Sequence, residues 1–519
     1  MTLCAVVDAQ EPAVPLLTAA ERSNYTQTMT SDEVRAFLDA LREQTDLVTI
    51  SSIGTTTEGR DIPLAIIADP PVSDPRVARG TGKLVVLLIG NIHAGEVCGK
   101  EALLMLARDL TLGDVRPLLN DLVICIIPNY NPDGNDRFDA DNRPGQVGPE
   151  EMGTRHNAHG LDLNRDYVKL DARETRALIR FQNTWDPAVI VDTHTTNGSH
   201  HRFVLTYQGP KHPSSDPKVL RYVRDTMLPA IDAAFERETG EQTFFYGNFT
   251  RDHSKWVTYP DLPRYGVAYR GMRNRLSILS EAYAYATYQQ RVIATYDFCL
   301  EVLRYSARHR EKIATMAFAA DRRTLLAGRD PEGAPPVVVR SEVRPFERPV
   351  TISGYVMDES GEPGEPTEHV VEFWNDFVAT ETVERAYAYL IPAEGYLDIA
   401  RKLRQHGISV QRLQRETEID VESYRIDVLE LQEREYQKRT RLAAIEVTPE
   451  ARREEFAKGT LVVRTAQPLG TLASYMLEPR AADGLAAWGL MNDRLRVGGE
   501  FPFLRVPAKV SLPLEPAPR

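Results

Sequence analysis

Three short stretches are apolar almost without interruption: 83–89 (KLVVLLI), 122–128 (LVICIIP) and 188–192 (AVIVD). Runs of this length predict strands buried on both faces. A fourth is predicted at 276–280 (LSILS), and 47–53 and 62–67 predict a strand pair around a turn at 54–60. Between these runs the apolar positions take helical spacing, at 30–43, 99–110, 174–183 and 291–309, with Ser31 and Asp32 as caps of the first helix. Strands alternating with helices predict an α/β layer fold with a parallel or mixed sheet.

The texture changes after 330–336 (DPEGAPP), which reads as a linker. Beyond it, strands are predicted at 350–356, 370–374, 388–392, 408–413, 461–463 and 504–506, with a helix at 397–406. Residues 416–441 are crowded with charges of both signs and predict a solvated face. The organisation expected is a leader or loose terminus at 1–20, a catalytic domain at 21–329, the linker, and a separate α+β or β-rich module at 337–519 that carries no chemical signature.

Composition narrows the function classes. With 42% hydrophobic and 26% charged residues the chain is globular rather than disordered. A net charge of −12 argues against nucleic acid or an anionic membrane as a general partner. No apolar run reaches the ~18 residues of a membrane-spanning helix. Four cysteines make no disulfide framework; Cys98, Cys125 and Cys299 read as small buried apolar residues, and Cys4 falls in the terminal segment. Met1–Gln10 (MTLCAVVDAQ) reads either as the tail of a signal peptide, which implies export, or as an ordinary terminus, which leaves the chain in the cytoplasm. Oligomeric state is open.

Four pieces of the first region bear chemistry. His93 and Glu96 sit three apart directly after the first buried run, and His194 follows the third. Strand ends are where open α/β sheets place ligands, and two His with one Glu is a zinc set that leaves a position for water. Asp162, Asn164 and Arg165 form a D-x-N-R turn: Arg binds a carboxylate through a charge-assisted fork, and Asp suits the second ring nitrogen of a metal-bound His. Glu281 closes the fourth apolar run, where burial raises its pKa and suits it to general-base work. His200 and His201 read as surface or pocket-rim residues.

Taken in order, these pieces resemble the zinc carboxypeptidase family, the carboxypeptidase A-like metallopeptidases, over the first ~310 residues. The order is HxxE at His93 and Glu96, the turn Asn131-Pro132-Asp133-Gly134, D-x-N-R at Asp162–Arg165, the strand-end His194 and the late Glu281. The resemblance implies a mixed eight-stranded sheet flanked by helices, and one zinc per chain held by His93, Glu96 and His194. It implies Glu281 as general base, Asn164 and Arg165 as the clamp on a peptide's free C-terminal carboxylate, and Arg155 as the group that polarises the scissile carbonyl. A mobile tyrosine that covers the substrate falls to Tyr259, Tyr265 or Tyr269, with spacing favouring Tyr259. The side chain of the last substrate residue is read by the segment before Glu281; an inward Arg264, Arg270, Arg273 or Arg275 would select an acidic one. The implied function is hydrolysis of the C-terminal bond of peptides. An aspartoacylase-like zinc deacylase of N-acyl amino acids shares the ligand set and the Asn-Arg pair, but the Asn131–Gly134 turn and the long segment before Glu281 favour the carboxypeptidase. A zinc- or peptide-binding module without turnover is the third reading.

Overall fold

The apolar runs form the middle of a sheet, where neither face of a strand meets water. A computed structural model describes residues 16–517. The main sheet is built from β1 (Val48–Thr55), β2 (Asp61–Ile67), β3 (Leu84–Ile89), β4 (Leu122–Ile127), β5 (Val189–Thr196), β6 (Leu205–Gln208) and β7 (Thr243–Phe245). After β8 (Asn248–Phe249) and β9 (Lys255–Val257), which lie in a second sheet, β10 (Leu276–Tyr283) completes it. The spatial order is β1-β2-β4-β3-β5-β10-β6-β7. Neighbours β4, β3, β5 and β10 are parallel, while β1, β2 and β6 add antiparallel pairings. This is the mixed eight-stranded sheet expected.

Every residue of β3 and β4 is buried. The alternation of side chains feeds two cores. Val85, Leu87 and Ile89 meet Leu178 and Ile179 of the helix Arg173–Trp185. Leu84, Val86 and Leu88 meet Leu103 and Leu104 of the helix Cys98–Leu112, with Phe298 and Leu303 of the helix Tyr288–Arg308. Cys98, Cys125 and Cys299 are free and buried.

Several expectations need correction. Thr30, rather than Ser31 or Asp32, caps the helix Ser31–Gln44, in a reciprocal box with Glu33. β5 and β10 extend past their apolar runs, so His194 and Glu281 stand within the strands and not after them. Of the leader expected at 1–20, Met1–Gln10 and Cys4 lie outside the described residues. Residues 16–20 belong to the fold: Thr18 caps the helix Ala19–Arg22 and Ala20 is buried. His201 is a core residue against Tyr283 and Trp256 rather than a surface one.

The region after residue 336 does not stand apart. β11 (Val337–Pro345) and β12 (Val350–Met357) both pair with the long β13 (Pro363–Val383), and β13 runs parallel to β9 of the first region. A seven-stranded sheet follows, made of β14 (Ala388–Ile391), β15 (Gln411–Leu413), β16 (Thr417–Leu431), β17 (Leu442–Phe456), β18 (Leu461–Arg464), β19 (Leu504–Val506) and β20 (Leu514–Pro516), in the order β17-β16-β19-β14-β18-β15-β20. Outside its strands, Ile399 and Leu403 of the helix Leu397–Gln405, Leu472 of the helix Gly470–Leu477 and Trp488 belong to one hydrophobic cluster with Tyr167, Leu178 and Ile179. The charged stretch 416–441 is no mere solvated face. It supplies β16, which buries Ile419, Val421, Tyr424 and Ile426, and the connection to β17.

Candidate active site

The ends of β3, β5 and β10 converge on one cavity of about 410 Å³. After β3 the chain turns at Asn91, whose left-handed backbone (φ 62°) is held by side-chain bonds to Asn129 and Asn135. The next turn brings His93 and Glu96 inward. Gly95 between them has no alternative: a Cβ there would lie 2.5 Å from the Gly153 carbonyl and 2.7 Å from the Arg143 side chain. On the sheet, Glu281 of β10 is the direct parallel partner of His194 of β5.

His93, Glu96 and His194 are buried and each offers a donor atom within 4.8 Å of the others. His93 Nδ1 lies 3.0 Å from Glu96 Oε1, His194 Nδ1 lies 2.9 Å from Glu96 Oε2, and the two Nδ1 atoms are 3.2 Å apart. The outer ring nitrogens face carboxylates: His93 Nε2 is 3.0 Å from Asp162 Oδ1, and His194 Nε2 is 3.3 Å from Asp192 Oδ1. Two inward imidazole nitrogens, one carboxylate and a carboxylate behind each ring fit a zinc ion in donor type and orientation.

The charges around this cluster shift the acids apart. Burial alone would raise Glu96, but His93, Arg143 and a bond from His194 hold it well below the usual carboxylate range. Asp162 is likewise held low, burial being outweighed by His93, Arg165 and Arg155. His194 moves up because Asp192, Glu96 and Glu281 outweigh its burial. Glu281 moves the other way, pushed up to about 8 chiefly by desolvation, against the lowering pull of His194.

Arg155 donates to Asp162 at 2.8–2.9 Å and stands 3.6 Å from Glu96. Arg165 donates to the Asn164 carbonyl and lies over the Tyr265 ring, 4.4 Å from its centroid. Asn164 accepts from the Gly266 backbone N–H. All three line the cavity, as do Tyr259 and Tyr265. Tyr269 does not: it is fully buried and bonded to His406. Lys211 packs 3.3 Å above the Tyr259 ring and donates to the Tyr259 carbonyl.

None of the four arginines considered for selectivity enters the cavity. Arg264 is paired with Asp483, Arg270 with Asp192 and Tyr167, Arg273 with Asn183 and the His406 carbonyl, and Arg275 with Asp186 and Asp321. Arg264 and Arg270 satisfy buried carboxylates, Arg273 a buried carbonyl and Arg275 two more accessible carboxylates, and Val267 and Leu279 line that wall.

Two contributors escape a reading of the sequence. Arg143 donates to Glu96 Oε1 at 3.0 Å from a loop with no motif around it. Gln437, in the tip between β16 and β17, accepts at 2.8 Å from the backbone N–H of Asp162. The tip turns on Gln437 and Lys438, both left-handed (φ 54° and 59°), and Arg439 beyond it forks onto Asp171 at 2.6 and 2.7 Å. No local signal in the sequence joins residues 275 positions apart.

Residues 34–266 match the sequence profile of the family described as zinc carboxypeptidase. The chain is 35% identical over 133 residues to carboxypeptidase E of Caenorhabditis elegans, covering 24% of this chain and 26% of that protein. It is 31% identical over 149 residues to the catalytic chain of carboxypeptidase N of Homo sapiens, covering 27% and 30%. The chain spans at most 30% of the length of these curated relatives. Among solved structures it is similar to the carboxypeptidase A of Helicoverpa armigera, at 17% identity and a TM-score of 0.42 over 57% of this chain and 80% of that one.

Proposed function

We propose, from the match of residues 34–266 to the zinc carboxypeptidase profile and from the site itself, that the chain is a metallocarboxypeptidase, removing the last residue of peptides that end in a free carboxylate. The observation that carries this reading is the placing of Glu281, Arg155, Asn164 and Arg165 around one cavity with the His93–Glu96–His194 cluster. His93, Glu96 and His194 would hold one zinc ion, which when bound supplies a Lewis acid that acidifies water and polarises a carbonyl.

The chain's own groups do the rest. Arg165, steered by its contact with Tyr265, forks onto the substrate's terminal carboxylate while Asn164 adds a directional hydrogen bond. That fixes the scissile bond beside Glu281. Glu281 takes a proton from the attacking water at its carboxylate and passes it to the leaving amine. Arg155 and Arg143 present positive charge where the carbonyl oxygen becomes anionic. Asp162 and Asp192 keep the two imidazoles in the tautomer that turns Nδ1 inward. Val267 and Leu279 on the wall favour an apolar last residue over an acidic one.

The test compares matched free-acid and amidated peptides. Hydrogen bonds to charged groups contribute ~1.5–3 kcal/mol, so amidation should lower kcat/KM roughly 10- to 100-fold, and Arg165→Ala should erase most of that discrimination while zinc stays bound. Equal cleavage of both peptides by the native protein would overturn the exopeptidase reading.

A further inference from the structure

A second cavity, of about 780 Å³, shares no lining residue with the first and opens between the helix Arg173–Trp185 and the helix Leu397–Gln405. It is lined by Arg176 and Arg180 on one helix and Arg401 and Arg404 on the other. Spacings of four and three residues put each pair on one helix face. Among the described residues none of the four meets a carboxylate. Arg176 donates to the carbonyls of Leu170 and Asp171 and Arg180 to that of Ile53, which anchors the side chains without neutralising them. Acidic groups close by are already engaged: Asp171 by Arg439 and Asp398 by Arg494.

Four guanidinium groups without a carboxylate partner lining one groove stand out in a chain of net charge −12, whose arginines elsewhere commonly find carboxylates, as Arg60, Arg275, Arg323 and Arg452 do. Arg180 and Arg401 are exposed and Arg176 and Arg404 half-buried, so an anion entering the groove from solvent can reach all four. Planar forks from two sides suit the oxygens of phosphate groups. The volume exceeds that of a lone phosphate and falls in the range of small-molecule sites. Leu397, 58% exposed, and Leu461 give the same groove an apolar end.

We propose that this groove binds a phosphorylated small molecule of nucleotide size, its phosphates held by Arg176, Arg180, Arg401 and Arg404 and its uncharged part against Leu397 and Leu461. The ligand bridges the helix that leads into β5 and the region after residue 336, so it stabilises the joint between them by mass action.

The test uses the full chain in calorimetric titration and thermal unfolding, with ATP, pyrophosphate, adenosine and a hexaglutamate peptide as probes. ATP and pyrophosphate should bind and raise Tm, and adenosine should do neither. The double variant Arg401→Glu/Arg404→Glu should lose at least ~10-fold in affinity for both phosphates, about 1.4 kcal/mol. Arg401→Gln/Arg404→Gln, which adds no negative charge, serves if the first variant unfolds. Four results would overturn the proposal: no response to either phosphate at millimolar concentration, a response undiminished in the variants (which would place binding elsewhere, the zinc site included), adenosine binding as well as ATP does, or hexaglutamate binding tighter than both phosphates.

Discussion

The two sheets solve the same packing problem with different sequence patterns. In the main sheet, β3 and β4 are apolar at every position and sandwiched between helices, so the polar residues that follow them are forced to the strand ends. In the seven-stranded sheet, β16 alternates Ile419 and Val421 with Glu418, Asp420 and Glu422, so one face packs and the other meets water. The first pattern concentrates chemistry at one edge of the sheet. The second yields a long hairpin whose tip is free to reach another part of the molecule, and here it reaches Asp162. A region with no catalytic motif of its own therefore supports the site from behind.

The largest effects should come from the strand-end residues. Glu281→Gln keeps the size of the side chain but cannot accept a proton; kcat should fall by at least ~10²-fold with zinc content unchanged. His194→Ala should lose metal and activity together, since two donors rarely hold zinc alone. Metal analysis beside steady-state kinetics checks both, and full zinc retention by His194→Ala would remove it from the ligand set.

The hairpin tip should matter less, and through position alone. Gln437→Ala leaves the Asp162 N–H without its acceptor and loosens the turn that holds His93. A neutral hydrogen bond contributes ~0.5–1.5 kcal/mol net, so zinc affinity should weaken roughly 3- to 10-fold, with a matching fall in kcat/KM. Chelator competition measures the first and kinetics at saturating zinc the second. If neither moves, the region after residue 336 is a neighbour of the site and no part of its support.

These magnitudes track what is visible in the chain itself. His93, Glu96, Asp162, Asn164, Arg165, His194 and Glu281 are legible because each stands at a fixed offset from an apolar run or within a short motif; five of them line one cavity, and His194 and Asp162 stand against His93 and Glu96 beside it. Arg143 is not, because a loop arginine beside Pro144 and Gly145 looks like any solvated turn. Gln437 is not, because its partner is set by tertiary packing. Charge content hid β16, since counting charges obscures an alternation that a period of two reveals. The selectivity expected from Arg264, Arg270, Arg273 and Arg275 fails for a related reason: composition reports basic residues but not the buried acids and carbonyls that claim them.

The last effect is expected where the two regions meet; it falls on stability rather than on activity, and it depends on pH. His406 is fully buried, accepting from the Tyr269 hydroxyl at 2.7 Å and donating to the Val168 carbonyl at 3.0 Å. Burial, and then the neighbouring charges of Lys402 and Arg273, lower its pKa to about 3, against ~6.5 in an unfolded chain. Between those values the unfolded state binds the proton and the folded state does not, so stability is fully present above pH ~6.5 and is lost as pH falls towards 3. The slope for one such group approaches about 1.4 kcal/mol per pH unit in that window. His406→Gln keeps one acceptor and one donor but cannot titrate. Urea unfolding of both proteins from pH 7.5 to 4.5 should show the native protein at least as stable as the variant at the upper end and losing stability faster on acidification. Other buried groups that titrate in the window, such as His201, are common to both proteins and cancel in the difference. Parallel curves would show that His406 stays accessible to protons, and that the joint between the regions opens more readily than its packing implies.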